Sequence, residues 1–295
     1  MIYRVLGNTG FEVSAVVYGG IVSSAETQTD SDQYVTWAIE KGINYFDVAP
    51  SYGDAELKMG NSLRPYRDKV YLACKTTKRK AVEAQEEFEQ SLRHLHTDYF
   101  DVYQLHSLST MEDMEIALAP GGVLEYVLRM QEQGKVRKIG FSSHCEEVAL
   151  ALLEAFPFDS VMFPLNWHLH LTENIGERVG LKAKERNMGV LGIKSLVHRA
   201  WHNKQERETS KYPKSWCKPI DENQVELGQA AMRYALSLGA QVLIPPGNFE
   251  SFRFEVENIE ICTLKPLAPP DIALLKTELE GVRGQSFFNL AGKML

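Results

Sequence analysis

Short apolar runs recur along the chain at residues 13–18, 43–47, 70–74, 100–105, 136–141, 160–163, 188–193 and 241–245. Between them lie stretches whose apolar positions repeat every three to four residues, the spacing of one helix face. Asp30-Ser31-Asp32 forms a capping cluster before Tyr34, Val35, Trp37, Ala38 and Ile39, and Lys41-Gly42 closes that helix. Residues 81–94 are acidic early (Glu83, Glu86, Glu87, Glu89) and basic late (Arg93, His94), as a helix dipole favours. Further helices are predicted at 55–63, 123–133, 146–155, 175–186 and 222–238, with a turn or two at 250–258. Apolar runs alternating with helices, most of them apolar at every position, are strands buried on both faces. They predict a (β/α)8 TIM barrel as one domain over residues 1–295 rather than an open doubly wound sheet. Neither a GxGxxG turn after the first strand nor a GxxxxGK[ST] loop is present, so the usual Rossmann and P-loop signals are missing.

Three segments stand outside this repeat. Residues 1–12, with Gly7-Asn8-Thr9-Gly10 at their centre, read as a hairpin that closes the bottom of the barrel. After Pro266 and Pro269-Pro270, residues 271–280 read as a tail helix followed by an irregular end. The longest interval, 195–220, reads as a lid over the barrel mouth. Within it Arg199, Lys204, Arg207, Lys211, Lys214 and Lys218 oppose Glu206 and Glu208, leaving +4 over residues 197–218.

Composition narrows the function classes. A net charge of −7 gives no electrostatic reason to bind nucleic acid or an anionic membrane. Cys74, Cys145, Cys217 and Cys262 are widely spaced, so neither a disulfide framework nor a metal cage is signalled. His168-x-His170 and His198-x-x-x-His202 lack a Glu or Cys to complete a ligand set, and no metal is expected. Without a secretory leader or a long apolar span, a soluble cytoplasmic protein is expected, and no partner protein is indicated.

In such a barrel, chemistry sits where strands end and the following loops begin. The strand ends read Gly19-Gly20, Asp47, Lys75, His106, Ser142-Ser143, Asn166, Lys194-Ser195 and Pro246-Gly247. Taken alone, Asp47 reads as a helix cap. Beside Lys75 on the next strand it reads as the partner of a buried ammonium, which is costly to leave unpaired. Tyr52 hangs over this pair from the loop after Asp47. A phenol beside an ammonium is expected to titrate below its usual value of about 10 and to exchange protons readily. His106 then orients a carbonyl oxygen while the hydride comes from a cofactor, since no side chain supplies one.

These residues resemble the aldo-keto reductase family. The likeness rests on Asn44-Tyr45-Phe46-Asp47-Val48-Ala49-Pro50-Ser51-Tyr52-Gly53, the Leu6-Gly7-Asn8-Thr9-Gly10 opening, the strand end at Lys75, the run from Asp98 to His106, Lys138-Ile139-Gly140-Phe141-Ser142-Ser143, and Glu257-Asn258. The resemblance implies an NAD(P)H-dependent reductase of a small aldehyde or ketone, with Tyr52 as general acid, Asp47 and Lys75 tuning it, and His106 orienting the carbonyl. It further implies that Gly20, Asp47, Ser142, Ser143 and Asn166 lie around the nicotinamide. Ser195 and Leu196 fall at the pyrophosphate, and Pro246, Gly247, Asn248, Arg253, Glu257 and Asn258 at the adenosine end. Met162 stands where members commonly carry Gln. NADP(H) is favoured through Arg253, with NAD(H) possible. Ile21, Tyr52, His106 and Trp167 are expected to wall the substrate pocket. Two other functions fit the same residues: a regulatory barrel that senses cofactor redox state, and a sugar or polyol dehydrogenase running toward oxidation.

Overall fold

A computed structural model describes residues 1–282, so the irregular end expected after the tail helix, and the last part of the predicted 1–295 unit, lie outside the described residues. Eight parallel strands follow one another around a nearly closed barrel: β3 (Tyr18–Gly19), β4 (Tyr45–Asp47), β5 (Tyr71–Thr76), β6 (Phe100–Leu105), β7 (Val136–Ser142), β8 (Ser160–Pro164), β9 (Gly189–Ile193) and β12 (Val242–Ile244). Backbone hydrogen bonds from Val17 N to Leu243 O and from Leu243 N to Ala15 O, 2.9 Å each, join the last strand to the first. The predicted TIM barrel is the observed fold.

Strand alternation explains the barrel's two cores. Tyr45, Ala73, Val102, Met162, Leu191 and Val242 point inward and pack on one another, whereas Phe46, Leu72, Cys74 and Tyr103 point outward beneath the helices. Cys74 therefore faces away from the mouth, as its position one residue before Lys75 requires. On the outer face Phe88 of α3 (Ala81–His94) meets Phe100 and Tyr103 edge-on, with ring centres 5.3 and 4.9 Å apart.

The first apolar run, 13–18, does not form one strand. Its start joins an antiparallel hairpin, β1 (Tyr3–Val5) with β2 (Glu12–Ser14), and only its end enters the barrel. The hairpin lowers Leu6 into the inner core and closes the floor. Gly7 is needed there: its φ is +51° and an added Cβ would lie 2.1 Å from Gly189 N.

Three helices depart from the sequence reading. Trp167–Glu173 (α7) precedes Glu177–Glu185 (α8), where one helix at 175–186 was expected. The alternation Trp167-His168-Leu169-His170-Leu171 hides the helical period. Met111–Leu118 (α4) was not foreseen, although Thr110 caps it by accepting from Asp113 N at 3.0 Å. The turn or two expected at 250–258 is the 16-residue helix α11 (Phe249–Leu264), started by the Asn248 side chain accepting from Ser251 N at 2.8 Å. The tail helix is α12 (Pro269–Val282). Among the described residues no helix is long and apolar enough to cross a membrane.

Segment 195–220 crosses the barrel mouth and carries its own structure: β10 (Val197–Arg199), α9 (Lys204–Thr209) and β11 (Lys218–Pro219). Its excess of positive charge is matched by carboxylates. Arg199 pairs with Glu206 at 2.6 Å, Lys211 with Asp221 at 2.8 Å and Glu222 at 2.9 Å, and Lys214 with Glu26 at 2.5 Å. Lys214 also donates to Val22 O at 2.7 Å, which ties the segment across the mouth to the loop after β3.

Candidate active site

A cavity of about 340 Å³ opens at the carboxyl ends of the strands. Its lining includes Asp47, Tyr52 and His106 from the first half of the barrel, and Ser142, Met162, Ile193, Lys194 and Ile244 from the second. Strand register explains the meeting. Asp47 is in register with Ala73, and Lys75, two residues further on, with Gln104, so the long Lys75 and Gln104 side chains face the same interior and reach back to the Asp47 carboxylate.

Asp47 is gripped from two sides. Lys75 donates to its Oδ1 in a short contact, and Gln104 donates to Oδ2 at 2.8 Å. Both members of the ion pair are buried. Burial alone would lower the Lys75 pKa, but the Asp47 charge and hydrogen bond outweigh it and raise it to about 12. Burial pushes Asp47 upward, while Lys75 and Gln104 pull it back. The ammonium lies 5.1 Å from the centre of the Tyr52 ring.

The expected lowering of Tyr52 is not what the structure gives. Burial raises its pKa and outweighs the opposing Lys75 charge, and Asp47 adds to the rise. The expectation counted the ammonium and left out the desolvation of a phenolate in a closed site. At neutral pH the phenol therefore keeps its proton, the form in which it can donate one. The Tyr52 ring meets His106 edge-on with centres 5.8 Å apart. Burial, with the charges of Lys75, Arg79 and Lys194, holds the His106 pKa well below its usual range. A neutral imidazole carries one N–H donor and one acceptor. Nδ1 of His106 is buried and has no hydrogen-bond partner among the described residues.

The remaining expected positions divide into three groups. Ile21, Ser142, Pro246 and Gly247 line the cavity with Asp47, Tyr52 and His106, and Ser142 Oγ accepts from Ser107 N at 2.8 Å. Gly247 is packed so closely that an added Cβ would lie 2.1 Å from Ile21 Cγ2. Arg253, Glu257 and Asn258 lie instead on a second cleft of about 440 Å³, shared with Glu222 and Glu250. Asn248, the cap of α11, has a buried Nδ2 without a partner among the described residues.

The third group lies outside both openings. Trp167, expected in the substrate wall, is fully buried and donates from Nε1 to Val197 O at 2.8 Å, so it packs beneath β10. Asn166 accepts from Leu169 N at 3.0 Å as the cap of α7, and its buried Nδ2 has no partner among the described residues. Ser143 donates to Cys145 O at 3.0 Å. Gly20, Ser195 and Leu196 are buried and do not line the cavity; its glycine on that side is Gly19. Lining residues to which the sequence reading gave no site role include Ser107, His144 and Ser215-Trp216-Cys217, and Lys194, which it placed only among the strand ends. Gln104 was also missed, although it lies two residues before His106 on one strand and so shares its face.

Ser195 instead donates to Oε1 of Glu255 on α11. Glu255 is fully buried, its Oε2 has no partner among the described residues, and burial raises its pKa to about 8. Between the unfolded value of 4.5 and about 8, the folded chain holds a proton that the unfolded chain releases, so this carboxyl's contribution to stability is lost as pH rises. Glu255→Gln is expected to remove that loss. Denaturant unfolding of both proteins at pH 5, 6.5 and 8 should show the variant gaining on the parent by up to about 1.4 kcal/mol per pH unit. Parallel pH dependences would exclude a buried neutral carboxyl.

The openings suit a nicotinamide dinucleotide. Apolar walls at Met162, Ile193 and Ile244 stand beside the Tyr52–His106 pair, and the capped start of α11 leads from there toward the second cleft. A helix start favours phosphate, and the buried Nδ2 of Asn248 adds a donor.

Comparison with known proteins identifies the family. The Aldo/keto reductase family model matches residues 16–277. The chain is 30% identical over 185 residues to Aldo-keto reductase YhdN of Bacillus subtilis, a match spanning 56% of this chain and only 54% of that protein. It is 24% identical over 289 residues to D-arabinose 1-dehydrogenase of Saccharomyces cerevisiae, covering 84% of each. In fold it resembles the holo form of aldo-keto reductase AKR11C1 from Bacillus halodurans, with a TM-score of 0.72, 20% identity and 99% of each chain covered.

Proposed function

The chain belongs to the aldo/keto reductase family of oxidoreductases, and from that premise we propose that it reduces a small aldehyde or ketone with NAD(P)H. The observation that carries the reading is the convergence of a protonated Tyr52, the ionised Lys75–Asp47 pair and a neutral His106 on one cavity. The bound cofactor supplies hydride to the carbonyl carbon. His106 directs an N–H at the carbonyl oxygen and fixes where negative charge develops. Tyr52 gives its proton to that oxygen, and Lys75 stabilises the phenolate left behind while Asp47 and Gln104 hold Lys75 in place. Met162, Ile193 and Ile244 are apolar walls that would keep water from the carbonyl once a nicotinamide is bound.

Arg253 supports NADPH over NADH, since a guanidinium pairs well with a phosphate. Glu250 and Glu257 share its cleft and oppose that preference, whereas Glu222 is already held by Lys211 and Tyr212. The expected preference is therefore small, on the order of tenfold. Fluorescence titration with each cofactor should show it, and Arg253→Ala should remove it. An unchanged ratio in the variant would take Arg253 out of the phosphate contact. Turnover on a panel of small aldehydes and ketones then tests the reaction itself.

A second reading, oxidation of a sugar, is favoured by one observation: the yeast relative is named D-arabinose 1-dehydrogenase. The same residues serve it in reverse, with the phenolate of Tyr52 accepting the proton. Burial raises the Tyr52 pKa, so that direction gains with rising pH. A redox-sensing role predicts cofactor binding without turnover on either panel. A cytoplasmic location accords with a substrate and cofactor of this kind.

A further inference from the structure

Trp216 lines the cavity together with Tyr52 and His106, although it belongs to the segment that crosses the mouth rather than to a barrel strand. Of the four tryptophans it is the exposed one, at 46%, while its neighbours Ser215 and Cys217 are buried. An indole carries a large apolar area, and leaving it half in water forgoes the stabilisation that burial would bring. Single exposed apolar residues are common on protein surfaces. This one differs in standing on the wall of the reacting cavity and in being held there.

Backbone and ring are both held. Ser215 N donates to Tyr212 O at 3.0 Å, Ser215 Oγ donates to Cys217 O at 2.6 Å, and Nε1 of Trp201 donates to Ser215 O at 3.0 Å. Two residues before Trp216, Lys214 reaches Val22 O and Glu26, which ties this turn to the loop that carries Ile21, another lining residue. The Arg207 guanidinium stands 5.3 Å from the centre of the Trp216 ring, and Arg207 is itself aimed by donating from Nε to Pro213 O at 2.8 Å. Arg207 does not line the cavity. It therefore covers the face of the indole turned away from the reacting end and leaves the other face for a ligand.

The rest of the cavity narrows what that ligand is. A carbonyl oxygen placed at Tyr52 and His106, with the nicotinamide against Met162, Ile193 and Ile244, leaves Ile21 and Trp216 as the large apolar side chains for the remainder of the substrate. A stiff, half-exposed aromatic face recovers its unused area best against a flat ring. Aromatic pairs gain beyond the area they bury, and an indole has few torsions to lose on meeting a partner. A cavity of about 340 Å³ suits a single ring when the nicotinamide also enters it.

We propose that Trp216 determines specificity at this site by stacking on the ring of a small aromatic aldehyde, so that planar aryl carbonyls are preferred over saturated ones of the same carbon count. The proposal rests on the reductase reading and names its substrate class. The chemistry is unchanged by the ring. The carbonyl carbon gains hydride from the reduced nicotinamide, the C=O π bond breaks, and its oxygen gains the Tyr52 proton. The products are an arylmethanol and the oxidised cofactor. The indole takes no part in these bonds; it selects the ring and orients it.

Initial rates with benzaldehyde and cyclohexanecarbaldehyde test this in the parent enzyme, Trp216→Leu and Trp216→Phe. Each aldehyde brings the same intrinsic reactivity to every variant, so the change in the ratio of their kcat/KM values isolates the indole. Trp216→Leu is expected to lower the benzaldehyde-to-cyclohexanecarbaldehyde ratio by about two- to tenfold, mostly through the KM of benzaldehyde, as the loss of an aromatic pair warrants. Trp216→Phe should keep most of the ratio. The side chain is exposed, so both variants should unfold at the parent's denaturant midpoint. A ratio that Trp216→Leu leaves unchanged would overturn the proposal and leave the reductase reading standing. So would equal losses in the Leu and Phe variants, or a main defect in NADPH binding read from the cofactor's own fluorescence. Cofactor binding without turnover of either aldehyde would overturn both.

Discussion

Tyr52→Phe is expected to lower kcat for carbonyl reduction by about 10²–10⁴-fold, the range for loss of a positioned general acid. The substitution removes one oxygen and leaves the ring, which packs edge-on to His106 with centres 5.8 Å apart. Fold and cofactor affinity should therefore persist, which separates this loss from unfolding. The pH profile adds a second check. Because burial raises the Tyr52 pKa and holds His106 neutral well below its usual range, reduction by the parent enzyme should be nearly flat through neutral pH. It should fall only in alkaline solution, where the phenol loses its proton. Full turnover by the Phe variant, or a bell centred near pH 6.5, would remove Tyr52 or the neutral His106 from the mechanism.

Lys75→Met is expected to have the second large effect, on stability as well as rate. Lys75 and Asp47 are both buried and form one ion pair, so removing the cation strands a carboxylate that keeps only its bond from Gln104. Breaking a buried pair in this way costs about 3–5 kcal/mol, readable as a lower midpoint in denaturant. The double variant Asp47→Asn/Lys75→Met removes the stranded charge and should recover most of that stability. It should recover none of the activity, because Tyr52 still lacks the ammonium that stabilises its phenolate. If stability and activity return together, the pair is structural and Tyr52 does not depend on it.

The barrel, and the rim positions of the residues proposed to react, were legible in the sequence for a local reason. A strand buried on both faces is a short apolar run, and the first polar residue after it is already at the rim. Asp47, Lys75 and His106 all carry that signature. Gln104 was legible in principle from the two-residue period. It was passed over because a glutamine inside an apolar run reads as an interruption rather than as a partner for Asp47. His144 was harder, since it reaches the cavity through a loop whose backbone conformation has no sequence period; Lys194 was read as a strand end but given no role. The left-handed turn at Lys194 is visible only in three dimensions.

Misplaced residues have equally specific causes. Trp167 and Asn166 follow β8 and were set at the mouth. The chain turns at once into α7, which uses the Asn166 side chain as its cap and buries the indole against Val197. Ser195 was set at the pyrophosphate, yet its hydroxyl turns onto Glu255, a carboxyl 60 residues away that no local pattern connects with it. The Tyr52 pKa was misjudged in direction because charge is written in the sequence and burial is not.

The central claim is that hydride and proton meet at a carbonyl in this cavity, and isotope transfer tests it most directly. Purified protein is incubated with a small aldehyde and reduced cofactor carrying deuterium at the hydride position, and the product alcohol is analysed by mass spectrometry. One deuterium at the former carbonyl carbon per cofactor oxidised is expected, and almost none from Tyr52→Phe over the same time although that variant still binds the cofactor. Saturable cofactor binding by the parent protein with no label in any alcohol, across aldehydes and ketones, would contradict the claim.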